Sequence, residues 1–236
     1  MKNKSIKKQK KNEKEEKKAA LWPLLIGAAV LAAVAVVLIS PRKGYTQRGN
    51  DVMLAQTDGL RLCSVGSYTG DFVEQGKEEP AASVLSIVVE NTGRQMIQKA
   101  VLTVGQARFV LTWLPPGAQC LVQEQSAMTW TRHFSGVMQA ESVQTLPMEQ
   151  VTLHPETVAL TATDGEIVLE NISGQDIPGS VRVWYKTVED GLLFGGVSYQ
   201  AGVDDGVLTA DSTATIAASH YSQERSRILL VELTGS

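Results

Sequence analysis

The fifteen residues Ile87-Val-Val-Glu-Asn-Thr-Gly-Arg-Gln-Met-Ile-Gln-Lys-Ala-Val101 align without a gap on Ile167-Val-Leu-Glu-Asn-Ile-Ser-Gly-Gln-Asp-Ile-Pro-Gly-Ser-Val181. Ile87/Ile167, Val88/Val168, Glu90/Glu170, Asn91/Asn171, Gln95/Gln175, Ile97/Ile177 and Val101/Val181 are identical at a constant offset of 80. Unrelated segments of this length would share about one position, so the match reads as an internal duplication. It predicts two homologous modules, 60–145 and 148–236.

Each copy carries the chemistry of antiparallel β-structure. In the first, the β-branched run Val84 to Glu90 meets turn residues at Asn91-Thr-Gly93. Strands follow at Ala100 to Val104, at Arg108 to Leu114 and, after Pro115-Pro116-Gly117, at Cys120 to Glu124. Phe109, Leu111 and Trp113 alternate and are expected on one face. In the second, strands are expected at Glu166 to Glu170, Ser180 to Lys186, Leu193 to Gln200, Thr213 to Ala218 and Ile228 to Leu233. Tight reversals are expected at Glu189-Asp190-Gly191 and Asp204-Asp205-Gly206. Short strands at 8 to 15 residue intervals, with no 3.6-residue period between them, predict an all-β pair of sandwiches.

Outward from the modules, Pro41 to Gly59 mixes glycine, proline and polar residues and reads as a juxtamembrane stalk, 41–59. Before it, Ala19 to Ser40 holds no charged residue and is long enough, as a helix, to cross a hydrocarbon core about 30 Å thick. Residues 19–40 are therefore expected to form a transmembrane helix in contact with lipid, with Trp22 at the interface and Ser40 at the far end. The tail 1–18 has nine lysines against three glutamates, a net charge of +6, which by the positive-inside rule keeps it cytoplasmic. The apolar run exceeds a signal-peptide core and ends without a small-residue cleavage site, so the anchor is expected to stay uncleaved. The expected location is a single-pass position in the cell membrane, with the C-terminal modules extracellular.

Residues 44–236 carry eleven Lys and Arg against twenty-two Asp and Glu, a net charge of −11. That balance argues against nucleic acid as a partner, because phosphate binding needs clustered cations. Cys63 and Cys120, the two cysteines of the chain, leave two readings open. Either they bridge, closing a loop worth about 4 kcal/mol in the chain-entropy model, or they are free thiols on different strands. His133, His154 and His220 have no partner at metal-ligand or triad spacing. Gly195-Gly196-Val197-Ser198 lacks the second glycine of a nucleophile elbow, and the acidic turns lack the alternating carboxylates of a calcium loop. No catalytic residue, metal or cofactor is expected. Trp130, Trp184 and Tyr199 are the candidates for an aromatic binding surface.

Several runs carry a resemblance: CSVGSYTGDFVEQG from Cys63, VVENTG from Val88, LPPGA from Leu114, VWYKTVEDGLLFGGVSYQAG from Val183 and ASHYSQERSRIL from Ala218. On these the chain resembles an uncharacterised set of membrane-anchored proteins of Gram-positive, clostridia-like bacteria. The asparagine-glycine and proline-glycine turns are similar to those of the CARDB and FxLYM groups of immunoglobulin-like adhesion modules. The resemblance implies two tandem immunoglobulin-like antiparallel β-sandwiches behind one N-terminal transmembrane α-helix. Tandem sandwiches on a stalk, with no acid, base, nucleophile or metal cluster at catalytic spacing, lead to the expectation of a non-catalytic binding or scaffolding role at the envelope, with an envelope protein or cell-wall component as partner. The alternatives are a receptor acting through a separate cytoplasmic partner and, third, an envelope enzyme.

Overall fold

The computed structural model describes residues 44–48, 52–53, 56–57, 59–71, 74–77, 79–131 and 134–234. These belong to one compact unit, Lys43–Ser236. The expected transmembrane segment 19–40 and the tail 1–18 lie outside them. Among the described residues no helix is long and apolar enough to cross a membrane.

The described chain is all-β. Its strands are β1 (Gly44–Gln47), β2 (Val52–Met53), β3 (Gln56–Thr57), β4 (Leu60–Gly70), β5 (Ala81–Asn91), β6 (Met96–Val104), β7 (Ala107–Leu114), β8 (Gln119–Gln123) and β9 (Gly136–Leu146). After a single 3₁₀ turn at Met148–Gln150 come β10 (Val158–Thr163), β11 (Glu166–Asn171), β12 (Ile177–Glu189), β13 (Leu192–Leu208), β14 (Thr213–Ala217) and β15 (Ser226–Thr234).

The duplication is visible in the topology. In the first half β4, β5 and β8 pair in that order, facing a sheet in which β9, β6 and β7 are neighbours. In the second half β10, β11 and β14 pair in that order, and β15, β12 and β13 are neighbours. Each half buries its own core. Leu62, Ile87, Val122, Leu102, Phe109 and Met138 fill the first, and Val158, Ile167, Ile216, Val183, Tyr185 and Val231 fill the second. Ile87 and Ile167, equivalent in the repeat, are both fully buried.

The halves meet through one continuous sheet. β8 of the first half runs parallel to β13 of the second, with Cys120 opposite Leu193 and Leu121 opposite Phe194, so an eight-stranded sheet spans both. β13 reaches this position because the β12–β13 hairpin projects beyond its own sandwich. Its two-residue turn has positive φ at both Asp190 (50°) and Gly191 (80°), the I′ geometry that matches strand twist. Leu193 then inserts into the core of the first half. Full burial of a leucine side chain contributes about 1.5–3 kcal/mol, so the hairpin is a substantial tie between the halves.

Three sequence expectations change here. Trp113 does not share the face of Phe109 and Leu111: its φ of 51° breaks the alternation, so Leu114 takes the next core position. Trp113 instead packs on Trp184 at 5.6 Å between ring centroids, in a cluster with Met96, Leu229 and Leu230 that joins the halves. Asp204-Asp205-Gly206 is no reversal but lies within β13, opposite a register shift between Gly179 and Val181. β12 continues alongside it, so the extra residue is absorbed as a bulge. Finally, the stretch read as a stalk contributes β1 and β3, which pair with β4, and β2, which pairs with β9. Tyr45 holds β1 in place through a 2.9 Å hydrogen bond between its hydroxyl and that of Ser64.

Candidate functional site

The β4–β5 connection carries Glu74, Gln75, Gly76 and Lys77, and these residues bind β13 and the turn that follows β8. The Gln75 amide donates to Val197 O (3.3 Å), and Gln75 Oε1 accepts from the Gln200 amide (3.0 Å). Lys77 Nζ donates to Glu124 O (3.0 Å) and pairs with Glu74 Oε1 (2.8 Å). Beyond β8, Glu124 is only 2 % exposed and shapes the turn that follows, its Oε2 accepting from the Ser126 (2.8 Å) and Met128 (2.9 Å) amides. Ala127 completes the turn at a φ of 56°.

Between these two segments lies an open cleft of about 570 Å³, with Gly76, Lys77 and Glu79 on one side and Gln125, Ser126 and Ala127 on the other. A neighbouring hollow of about 280 Å³ shares Gly76, Lys77 and Gln125. Gln123, at the end of β8, lines both. It is 4 % exposed, and its Nε2 has no hydrogen-bond partner, which among the described residues marks it out from every other buried side-chain polar atom. A buried donor left unpaired costs about 1–3 kcal/mol.

Beside the cleft, Gly196 is held from two directions. Its amide donates to Glu74 Oε2, which also accepts from the Val197 amide (3.3 Å), and its carbonyl accepts from Lys186 Nζ (2.6 Å). Lys186 is fully buried and also donates to Gly195 O, to which the Cys120 thiol donates at 3.2 Å. Burial holds the Lys186 ammonium below the usual lysine range, partly offset by Cys120 and Glu74. The same burial pushes the Cys120 thiol up to about 11. Gly196 has no room for a side chain: an added Cβ would stand 2.0 Å from Val110 O.

The residues singled out from sequence fall elsewhere. Cys63 and Cys120 are free thiols, on β4 and β8, with β5 between them. Two strand spacings of about 4.8 Å exceed the Cα separation a disulfide spans, so of the two readings left open the free thiols hold. Cys63 lies beside the ion pair of Arg61 with Glu90, to whose Oε2 its thiol donates at 3.6 Å. Trp130, Trp184 and Tyr199 are not brought together. Trp130 packs on Phe134 (5.8 Å) against the first core. Trp184 packs tilted against Trp113 and donates to Glu232. Tyr199 lies 3 % exposed between Tyr185 (5.4 Å) and His220 (4.7 Å). Ser198 is 1 % exposed and its hydroxyl donates to Thr112 O (3.3 Å), tying β13 to β7. His154 pairs with Glu156 (3.6 Å), and His133 lies outside the described residues. Among the described residues no three His, Cys, Asp or Glu side chains gather as metal ligands do.

Sequence reasoning missed Gln123, Glu74 and Lys186. The cleft is assembled from segments near residues 76, 82, 123 and 127, and no spacing links them. Lys186 alternates with Arg182 and Trp184 on the strand face opposite Val183 and Tyr185, the pattern of an ordinary solvated lysine. No family model, no curated protein and no solved structure matches this chain.

Proposed function

We propose that this chain is a single-pass, membrane-anchored protein whose extracellular part, two immunoglobulin-like modules, has a non-catalytic binding role at the cell envelope. The observation that carries the binding role is the open hollow of about 570 Å³, of ligand size, walled by Lys77, Pro80, Ala82, Gln125 and Ala127. The immunoglobulin-like assignment is supported by the strand order, three strands facing three in each half, with the pairings of an A-B-E sheet against a C′-C-F sheet. The anchor and its orientation rest on the uncharged run 19–40 and the lysine-rich tail.

A photoreactive amino acid placed at exposed Ala82, at the cleft, and in a separate variant at exposed Glu170, on the second half, tests the reading on intact cells producing the full chain. A defined envelope adduct formed from position 82 and not from 170 is expected. Equal labelling from both positions, or turnover of a cell-wall substrate by the purified chain that a single point substitution abolishes, overturns it. Protease added to intact protoplasts should remove all but a short N-terminal fragment, and a protected C-terminal part overturns the topology.

A further inference from the structure

The duplication makes β14 the counterpart of β8. Val88 and Glu90 are equivalent to Val168 and Glu170 in the repeat. Leu121 lies opposite Val88 as Thr215 lies opposite Val168, and Gln119 lies opposite Glu90 as Thr213 lies opposite Glu170. The outer edge of β8 is filled by β13, which runs parallel to it. The outer edge of β14 is open: among the described residues no strand pairs with it on the side away from β11. The Asn171 amide donates to Ser212 O (2.9 Å) and the Ala218 amide to Gly165 O (2.9 Å), at the two ends of the β11–β14 register. By antiparallel alternation the remaining bonds to β11 fall at Ala214 and Ile216, and the N–H and C=O groups of Thr213, Thr215 and Ala217 point outward.

Such an edge accepts another strand unless charge, proline, a bulge or shortness blunts it. Other margins are blunted. β1 has four residues and β2 two. β15 carries Arg227 and Glu232, and its Val231 amide is taken by Thr152 O (3.0 Å). β10 spends the amide of its first residue, Val158, on His154 O (2.8 Å). β14 reads Thr-Ala-Thr-Ile-Ala, without charge, proline or glycine, and Thr213, Thr215 and Ala217 are exposed. The strand is also complementary to itself. A two-fold axis at Thr215 sets that residue opposite its own copy and Thr213 opposite Ala217 of the second copy, and threonine pairs across antiparallel strands are favourable. Antiparallel pairing is the stabler kind, and a two-fold contact closes as a dimer. Glu166 and Glu170, exposed on β11, stay clear of their copies. Three strand spacings of about 4.8 Å separate the two β11 strands, more than the Debye length of about 8 Å at physiological salt.

We propose that two copies of this chain associate through β14, Thr213 to Ala217 of each pairing antiparallel about a two-fold axis at Thr215. The two three-stranded sheets β10-β11-β14 then join into one continuous sheet, a strand addition in which each copy supplies the other's missing neighbour.

The test uses the full chain purified in a neutral, density-matched detergent. Sedimentation equilibrium should show a monomer–dimer equilibrium for the parent. Thr215→Lys, at an exposed position, sets two ammonium groups against each other at the axis and should raise the dimer dissociation constant at least tenfold. Thr215→Pro removes an outward N–H, leaves the bonds to β11 in place and should do the same. The monomers of both variants should melt with the parent's, which separates lost pairing from lost folding. Under mild oxidation, with the parent as blank, Thr215→Cys should form a disulfide-linked dimer, since opposed hydrogen-bonded residues have Cα atoms about 5.5 Å apart. Thr213→Cys alone should not, whereas Thr213→Cys mixed with Ala217→Cys should. A parent that stays monomeric at every concentration overturns the proposal. So does a dimer that both substitutions at Thr215 leave intact, which places the contact elsewhere. Thr213→Cys linking to itself as readily as Thr215→Cys overturns the two-fold register.

Discussion

Asn91 and Asn171 hold equivalent corners of the two halves with three hydrogen bonds in common. Each carboxamide nitrogen donates to the carbonyl four residues ahead, Gln95 (2.8 Å) or Gln175 (2.7 Å), and to the end of the strand that closes the next hairpin, Leu114 (2.9 Å) or Leu208 (2.8 Å). Each carboxamide oxygen accepts from the amide two residues on, Gly93 (2.9 Å) or Ser173 (3.0 Å). One side chain therefore fixes the turn after its own strand and ties it to the opposite sheet.

Both asparagines are fully buried, so truncation removes three hydrogen bonds at Asn91 and five at Asn171 and leaves buried carbonyls unpaired. Asn91→Ala and Asn171→Ala are each expected to destabilise the full chain by about 2–4 kcal/mol. Urea denaturation followed by fluorescence measures this. A loss under about 0.5 kcal/mol in either variant would show that water replaces the side chain at no cost.

Cys120 predicts how stability changes in alkali. Burial raises its folded-state value from 9.0 to about 11, so the folded state keeps the proton longer than the unfolded chain does. Its contribution is complete below pH 9 and is lost as pH rises through 11. Between pH 8 and pH 11 the loss amounts to about 2 kcal/mol. Lys186, held low, works in the opposite sense, since raising the pH relieves the cost of its buried charge. The Cys120 term is isolated by difference: the pH 8 to 11 change in stability should be about 2 kcal/mol smaller in Cys120→Ala than in the parent. Identical pH profiles would mean that the thiol ionises as freely folded as unfolded.

Residues 148–236 contain every strand of the second sandwich and its whole core, and should show a cooperative β-type thermal transition alone. Alone, however, they expose Leu193, which otherwise packs in the first core, and Leu229, Leu230 and Trp184, which otherwise pack against Met96 and Trp113. Their melting temperature should therefore lie below that of the full chain. Circular dichroism decides: a fragment without a transition means that the halves share one folding unit, and a fragment melting with the full chain means that the junction adds nothing.

The contrast between what could and could not be read follows from range. Local pattern located β5 to β8 and β11 to β15, because alternation and turn residues act within a strand and its neighbour. Gly191 announced its hairpin, since two positive φ values in succession favour glycine. Asp204 to Gly206 carried the same local signal and was misread, because the partner strand β12, supplied from elsewhere, turned a reversal into a bulge. β4, β9 and β10 were missed. Alternation in β9 is weak because most of its residues are exposed. Gln123, Glu74 and Lys186 had no local signature at all. Their roles come from the parallel pairing of β8 with β13, a contact between residues more than seventy positions apart.

That pairing also sets the direction in which the molecule faces. Along the eight-stranded sheet from β1 to β15 every neighbour is antiparallel except β8 with β13, giving five reversals and one step without reversal. β1 and β15 therefore point in opposite directions, and Gly44 and Thr234 emerge at the same end of the sheet, on opposite edges. Had β8 met β13 in antiparallel fashion, the chain would run through from one pole to the other. As it is, a tether at either terminus attaches to one pole, and the Asp190-Gly191 hairpin tip stands at the other.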